Sequence, residues 1–191
     1  DTDRSRGLGD VYKRQSGTYA AVKAADLGAS TVWIEKSGNR GGTSSITEAL
    51  AAVGSGLQMQ AVEDPMGDEV FRLVMTYQEY GAIGKVVDAY IANSGEAVDW
   101  AVSRGAKLQY APLEGFPDTY WGHSCADDEG KFISMGEGML SPLTEFGEAS
   151  GALDLRLETP MVGLVKSGDQ VAGVYAQTTE GIIKVNAKAV I

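Results

Sequence analysis

The chain has 191 residues, 43% of them hydrophobic and 22% charged, with a formal net charge of -10. That length suits one domain with a sizeable core or part of a larger one, and the composition excludes disordered and fibrous classes. The acidic balance leaves no basic patch for nucleic acid, no apolar run approaches the ~20 residues that span a bilayer, and the single cysteine, Cys125, forms no internal disulfide.

Residues 1–15, DTDRSRGLGDVYKRQ, carry Arg4, Arg6, Lys13 and Arg14 but almost no apolar periodicity. They read as a non-native or disordered lead, and DVYKRQ resembles translated adapter sequence; a genuine N-terminal arm is the alternative. The N-terminus shows no apolar signal region, and cysteine usage leaves the compartment open.

From Gly17 to Leu27, the spacing of Ala20, Val22, Ala24, Ala25 and Leu27 predicts a helix packed on a sheet, ended by Gly28. Thr31 to Glu35, TVWIE, is a short strand. Asp64-Pro65 predicts the cap and first residue of a second helix carrying Val70, Phe71, Val74 and Tyr77. A third helix begins near Lys85, and Ser94 is placed to cap a further one running to Arg104, with Gly105 after its last turn.

Gln109 to Met135, rich in Pro, Gly, Asp and aromatics, reads as loop with one or two short strands. Gly138 to Ser150 predicts a short helix stopped by Gly151. Leu153, Leu155 and Leu157 then alternate with Asp154, Arg156 and Glu158 as a strand with one wet face. Turn signals at Ser167-Gly168-Asp169 and Thr179-Glu180-Gly181 separate strands over 171–176 and 182–185, giving a β-meander. The last residues, AKAVI, predict another strand that breaks off without a cap, so the chain looks truncated.

A dinucleotide fold needs a strand, a tight glycine turn, a helix N-terminus facing the pyrophosphate, and an acidic residue ending the next strand. Gly17 suits the third glycine of that turn, and Glu35 follows 18 residues later. The first and second glycines would fall at Tyr12 and Arg14, and RGLGD is no apolar strand. Strand and loop are lost at one boundary before Ser16, the pattern of a damaged copy. A plain βα unit, common to many α/β folds, is the alternative.

Glu35-Lys36, a short linker and Gly41-Gly42-Thr43-Ser44, followed much later by LDLRLETPMVGLV and a hairpin, resemble the FAD-dependent fumarate reductase, succinate dehydrogenase flavoprotein and ketosteroid dehydrogenase superfamily. The resemblance covers Ser16 to Ile191 in element order, and only those two motifs are sharp. It implies an α/β, Rossmann-like FAD-binding domain with a parallel sheet and a β-meander, incomplete at both ends. Residues 58–150 would form a helical and loop insertion within it. FAD is the implied cofactor. Gly17 and Glu35 would serve its phosphate and ribose side, together with Lys36. Gly41 and Gly42 would let the backbone lie against the cofactor, while Thr43 and Ser44 offer hydroxyls and N–H groups to phosphate or ribitol. The backbone near Met161 and Val162 would bond adenine.

One departure stands out: where the family has a Gly-Gly or Ala-Gly pair close to the flavin, this chain reads ITEALAAVG. An N–H of Ala49 would still reach flavin N5, but Glu48 would disfavour an anionic reduced flavin.

GHSCA, 122–126, imitates a nucleophile elbow, but His123 is the chain's one histidine and lies within the elbow, leaving Ser124 no base. His123, Cys125, Asp127 and Asp128 lack the separated ligand pair of a metal site and read as polar loop. Tyr110, Tyr120 and Trp121 would line a cleft or pack on their own domain.

The resemblance thus implies part of an oxidoreductase moving hydride between flavin N5 and a substrate C=C or C–C bond. Its partners would be a small-molecule substrate and an electron-donor protein or domain. The catalytic residues would lie outside this chain. A pyridine-nucleotide reductase, or a non-catalytic α/β fragment without cofactor, are the alternatives. Loss of a central strand forfeits roughly 5–9 kcal/mol of burial, comparable to the ~5–15 kcal/mol that holds a domain together. The isolated chain is therefore expected to fold poorly and bind FAD weakly or not at all.

Overall fold

In a computed structural model of the chain, residues 16–62, 66–112 and 121–191 are described. They form two compact units, one built from the segments up to Ile46 and from Leu143 to Ile191, the other from Thr47–Pro142.

In the first unit, helix α1 covers residues 16–26. It buries Thr18, Val22 and Ala25, one stripe at helical spacing, while Leu27, expected inside, is 75% exposed beyond the last turn. Gly28 ends the helix at φ +84°, with Ala29 N donating to Ala24 O and Gly28 N to Ala25 O, a Schellman closure. Strand β1 (Thr31–Ile34) then pairs parallel with β6 (Leu153–Arg156), Thr31 opposite Leu153. Between these two in sequence comes the last helix, α5 (Ser141–Ala149), and Gly147 is where it meets its neighbours. A Cβ there would lie 2.7 Å from Leu153 Cδ2 and 3.2 Å from Val22 Cγ2, so α1, α5 and β6 share one core. Gly151, at φ +71°, closes α5 as the sequence predicts.

β6 shows the expected alternation, with Leu153 buried and Asp154 and Arg156 exposed. The meander is present as β7 (Met161–Ser167), β8 (Gln170–Thr178) and β9 (Gly181–Asn186), antiparallel in that order around buried Val165, Val174 and Ala176. Residues 187–191 form no strand, against expectation: Ala187 N still donates to Ala172 O of β8 at 2.9 Å, and Val190 and Ile191 are exposed.

The second unit contains β2 (Ala49–Leu50), α2 (Gly56–Ala61), α3 (Gly67–Tyr77), α4 (Gly84–Ser103), β3 (Leu108–Pro112), β4 (Trp121–Ala126) and β5 (Phe132–Ile133). β4 lies between β2 and β3 and also pairs with β5, all antiparallel. The expected cap at Asp64-Pro65 lies outside the described residues, and α3 begins at Gly67. Val70, Phe71 and Val74 are half-buried and Tyr77 is exposed.

The expected helix boundary at Ser94 is overturned: α4 runs unbroken across it. Ser94 and Gly95 are buried in the helix interior, where Val53 N donates to Ser94 Oγ at 2.9 Å and a Cβ on Gly95 would come within 2.5 Å of Val53 O. The Ser-Gly pair admits another backbone rather than stopping a helix.

Among the described residues of the 109–135 stretch, 109–112, Trp121–Ala126 and Phe132–Ile133 lie in strands, and Gly122, His123, Ser124 and Cys125 are buried; residues 113–120 lie outside the described part. The polar-loop reading of His123 and Cys125 is thereby corrected, since β4 has neighbours on both edges. Asp127 does form a turn, accepting from Glu129 N and Lys131 N.

Candidate functional site

Parallel pairing brings two chain segments together at the carboxyl ends of β1 and β6. Glu35 N donates to Arg156 O at 2.9 Å, Thr159 N to Glu35 O at 2.8 Å and Glu158 N to Ser37 O at 3.1 Å. The Glu35 side chain, half-buried, is held by the turn that follows it: Oε1 accepts from Ser37 N at 2.9 Å and from Ser37 Oγ at 3.0 Å. Both of these bonds go to Oε1, and among the described residues none goes to Oε2 of this oriented carboxylate. Lys36 beside it is exposed. Ser37 is the residue the sequence reading missed here, and its position two residues after Glu35 is the only signal for it.

The glycine loop comes next. Gly41 and Gly42 have φ of +85° and +47°, a backbone that side-chain-bearing residues rarely adopt. A 3-10 turn, Gly42–Ile46, carries Thr43 and the buried Ser44, whose N donates to Gly41 O at 3.0 Å. The Ser45 hydroxyl donates to the Gly42 carbonyl. Arg40, just before the glycines, pairs with Glu148 of α5 at 3.2 Å and ties the loop to that helix. Both side chains are partly in water, so the pair positions more than it stabilises.

Four expected contributors lie on other elements. Gly17 is in the first turn of α1, and outside its own helix and chain neighbours no described heavy atom lies within 4 Å of its Cβ position; residues 1–15, which precede it, lie outside the described part. Met161 opens β7, and Val162 sits in a bulge between Met161 and Gly163, without a register partner on β8. Ala49 belongs to the second unit, opposite Ser124 in the β2–β4 pair.

Among the described residues no group of three His, Cys, Asp or Glu is placed to hold a metal ion. Ser124 Oγ meets Gln109 Nε2 at 3.4 Å inside the sheet. Tyr110 packs on Trp121 and His123, centroids 5.6 and 5.1 Å away, while Tyr120 lies outside the described residues. No described helix is long and apolar enough to cross a membrane.

A carboxylate held at the carboxyl end of a parallel strand, followed by a loop of left-handed glycines and the buried Ser44, is an arrangement of the kind that α/β dinucleotide-binding folds use on their ribose and phosphate side, and the donor and acceptor types present are compatible with a dinucleotide. The chain belongs to the FAD binding domain family, whose model matches residues 15–191, and FAD is the cofactor of that family. It is 27% identical over 179 residues to the vinyl phenol reductase of Lactiplantibacillus plantarum, covering 92% of this chain and 35% of that one. It is similar in structure to a flavocytochrome c3 fumarate reductase in its open conformation, with a TM-score of 0.76 and 26% identity, covering 92% of this chain and 31% of that one. It also shares the fold of the 3-ketosteroid-delta4-(5alpha)-dehydrogenase of Rhodococcus jostii, with a TM-score of 0.70 and 20% identity, covering 90% and 42%. The chain spans about a third of the length of the first two of these relatives.

Proposed function

We propose that the chain is the FAD-holding part of a longer oxidoreductase that moves a hydride between flavin and a carbon–carbon bond of a small molecule. The observation that carries this reading is the Glu35 carboxylate, fixed through Oε1 by Ser37 with its second oxygen left for a ribose hydroxyl. A carboxylate there accepts hydroxyl hydrogen bonds and repels a 2'-phosphate. Gly41 and Gly42 let the backbone approach the pyrophosphate, and Thr43 and Ser44 offer donors to phosphate or ribitol. Lys36 adds positive charge beside them. Gly17 would stand at the helix start on the phosphate side, and the Met161–Val162 backbone would meet adenine. FAD supplies hydride acceptance and donation at N5.

The relatives named for a vinyl phenol and for fumarate support an activated C=C bond as the substrate class. An electron-donor protein or domain, or a reduced pyridine nucleotide, would supply the reducing equivalents.

The test is a fluorescence titration with FAD of the longer protein that carries this chain. Quenching should saturate, should be competed away by ADP, and should shift by about tenfold or more to higher FAD in E35Q, since a hydrogen bond to a charged group contributes about 1.5–3 kcal/mol. Equal titrations of wild type and E35Q would sink the assignment of Glu35.

A further inference from the structure

In the second unit, a buried polar pair has no part in the reading above. Ser55, the N-cap of α2, and His123, from the middle of β4, are both fully buried, and Ser55 Oγ lies 2.6 Å from His123 Nε2. The same Ser55 oxygen accepts from Gln58 N at 3.1 Å, so one hydroxyl both closes the helix end and meets the ring. Gln58 Oε1 reaches back to Gly54 N at 2.6 Å, completing a capping arrangement. The other ring nitrogen, Nδ1, is buried with no hydrogen-bond partner.

The ionisable groups facing this ring are few. α4 presents Asp99, whose two oxygens already accept from Gly56 N at 2.9 and 3.1 Å. β3 presents the Tyr110 phenol ring, and α2 and β2 carry no ionisable side chain. Burial holds the ring below the usual histidine range, with the Leu50 backbone and the Asp99 charge pulling weakly the other way.

We propose that the Ser55–His123 pair is an acid-released latch: it holds the cap of α2 against β4 while the ring is neutral and lets go when the ring is protonated.

In the neutral tautomer with its hydrogen on Nδ1, Nε2 accepts from the Ser55 hydroxyl, whose oxygen stays free to accept from Gln58 N. A second proton makes Nε2 a donor, so that Ser55 must accept from both and turn its own hydrogen elsewhere. It also adds a charge to a buried ring whose Nδ1, which already carries the hydrogen in this tautomer, meets no hydrogen-bond geometry, the Leu50 backbone giving only partial compensation, and that is costly. Opening relieves this by admitting water. α2 is the element that yields, because its six residues fall well short of the ~12–15 at which a helix begins to stand alone. β2 hangs on the same strand, with Leu50 opposite His123, so the segment carrying Ala49 is loosened with it.

The sign follows from proton counting. The closed form binds fewer protons than the open one, so opening is favoured as pH falls below the ordinary histidine value of about 6.5, and the latch is closed above it.

Amide hydrogen exchange on the whole chain at neutral and mildly acid pH, corrected for intrinsic rates, reads this directly. Protection over residues 56–61 should fall by up to about tenfold per pH unit below pH ~6.5, with β7–β9 unaffected. H123Q should abolish that dependence, and S55A should lose protection at both pH values. Because His123 is the only histidine, its single imidazole resonance should titrate below ~6.5. A ring titrating at or above that value, α2 protection that follows β7–β9, or equal pH dependence in H123Q and wild type would each overturn the latch. Should either variant fail to fold, the ring titration and wild-type exchange alone decide.

Discussion

Cys125 shows what burial does to a single reactive atom. Its thiol sits inside β4, Sγ 3.5 Å from Met135 Sδ, facing Gly138, which has no room for a Cβ against it. Burial pushes the thiol up to about 12, so at pH 8 the native form holds almost no thiolate. A disulfide reagent at pH 8 should therefore modify the folded chain at least about a hundredfold more slowly than the chain in urea, with a rate set by opening. Rapid stoichiometric reaction of the folded chain would show the thiol to be reachable. The pH sign is also defined. The unfolded thiol ionises from about pH 9 while the native one waits until about 12, so its contribution to stability is intact below pH 9 and is lost as pH rises through that window.

At the scale of elements, the outcome depends on whether a signal is local or belongs to a neighbour. Gly28, the alternation of Leu153 and Leu155, and the turns at Gly168 and Gly181 each act within a few residues, and α1, β6 and the meander are legible from them. Ser94-Gly95 carries the same kind of signal, yet the close approach of Val53 and Gly54 turns it into a packing site within α4. β4 likewise has polar residues that only its two neighbouring strands explain. Replacing glycine separates the two meanings. Ala is better than Gly in a helix by about 1 kcal/mol, so G84A, where a Cβ would meet Phe71 at 3.6 Å, should leave the melting temperature unchanged or raise it. G95A should instead cost roughly 1–3 kcal/mol through forced displacement of the 53–54 backbone. Equal melting temperatures for the two variants would mean that this turn yields without strain.

Across the whole molecule, the part of the candidate site that the sequence brings together is the run from Glu35 to Ser44, because contiguous residues carry both the strand end and the glycine loop. The partners that set its geometry, Ser37 on Glu35 and Glu148 on Arg40, depend on a turn and on a helix distant in sequence, and no spacing announces the second. Net charge acts at the largest scale. A chain of formal charge -10 should repel the anionic pyrophosphate of FAD, with Lys36 and Arg40 the cations of the Glu35–Ser44 run, and Arg40 is already paired. Repulsion of this long-range kind is screened as the Debye length falls from about 30 Å at 0.01 M salt to about 10 Å at 0.1 M. FAD affinity should therefore stay constant or rise over that interval, the reverse of a site that binds by releasing counterions. Riboflavin, which lacks the phosphates, should show no such trend. If FAD affinity instead falls steeply with salt while that of riboflavin does not, local cation–phosphate contacts outweigh the global charge, and R40A should flatten the dependence.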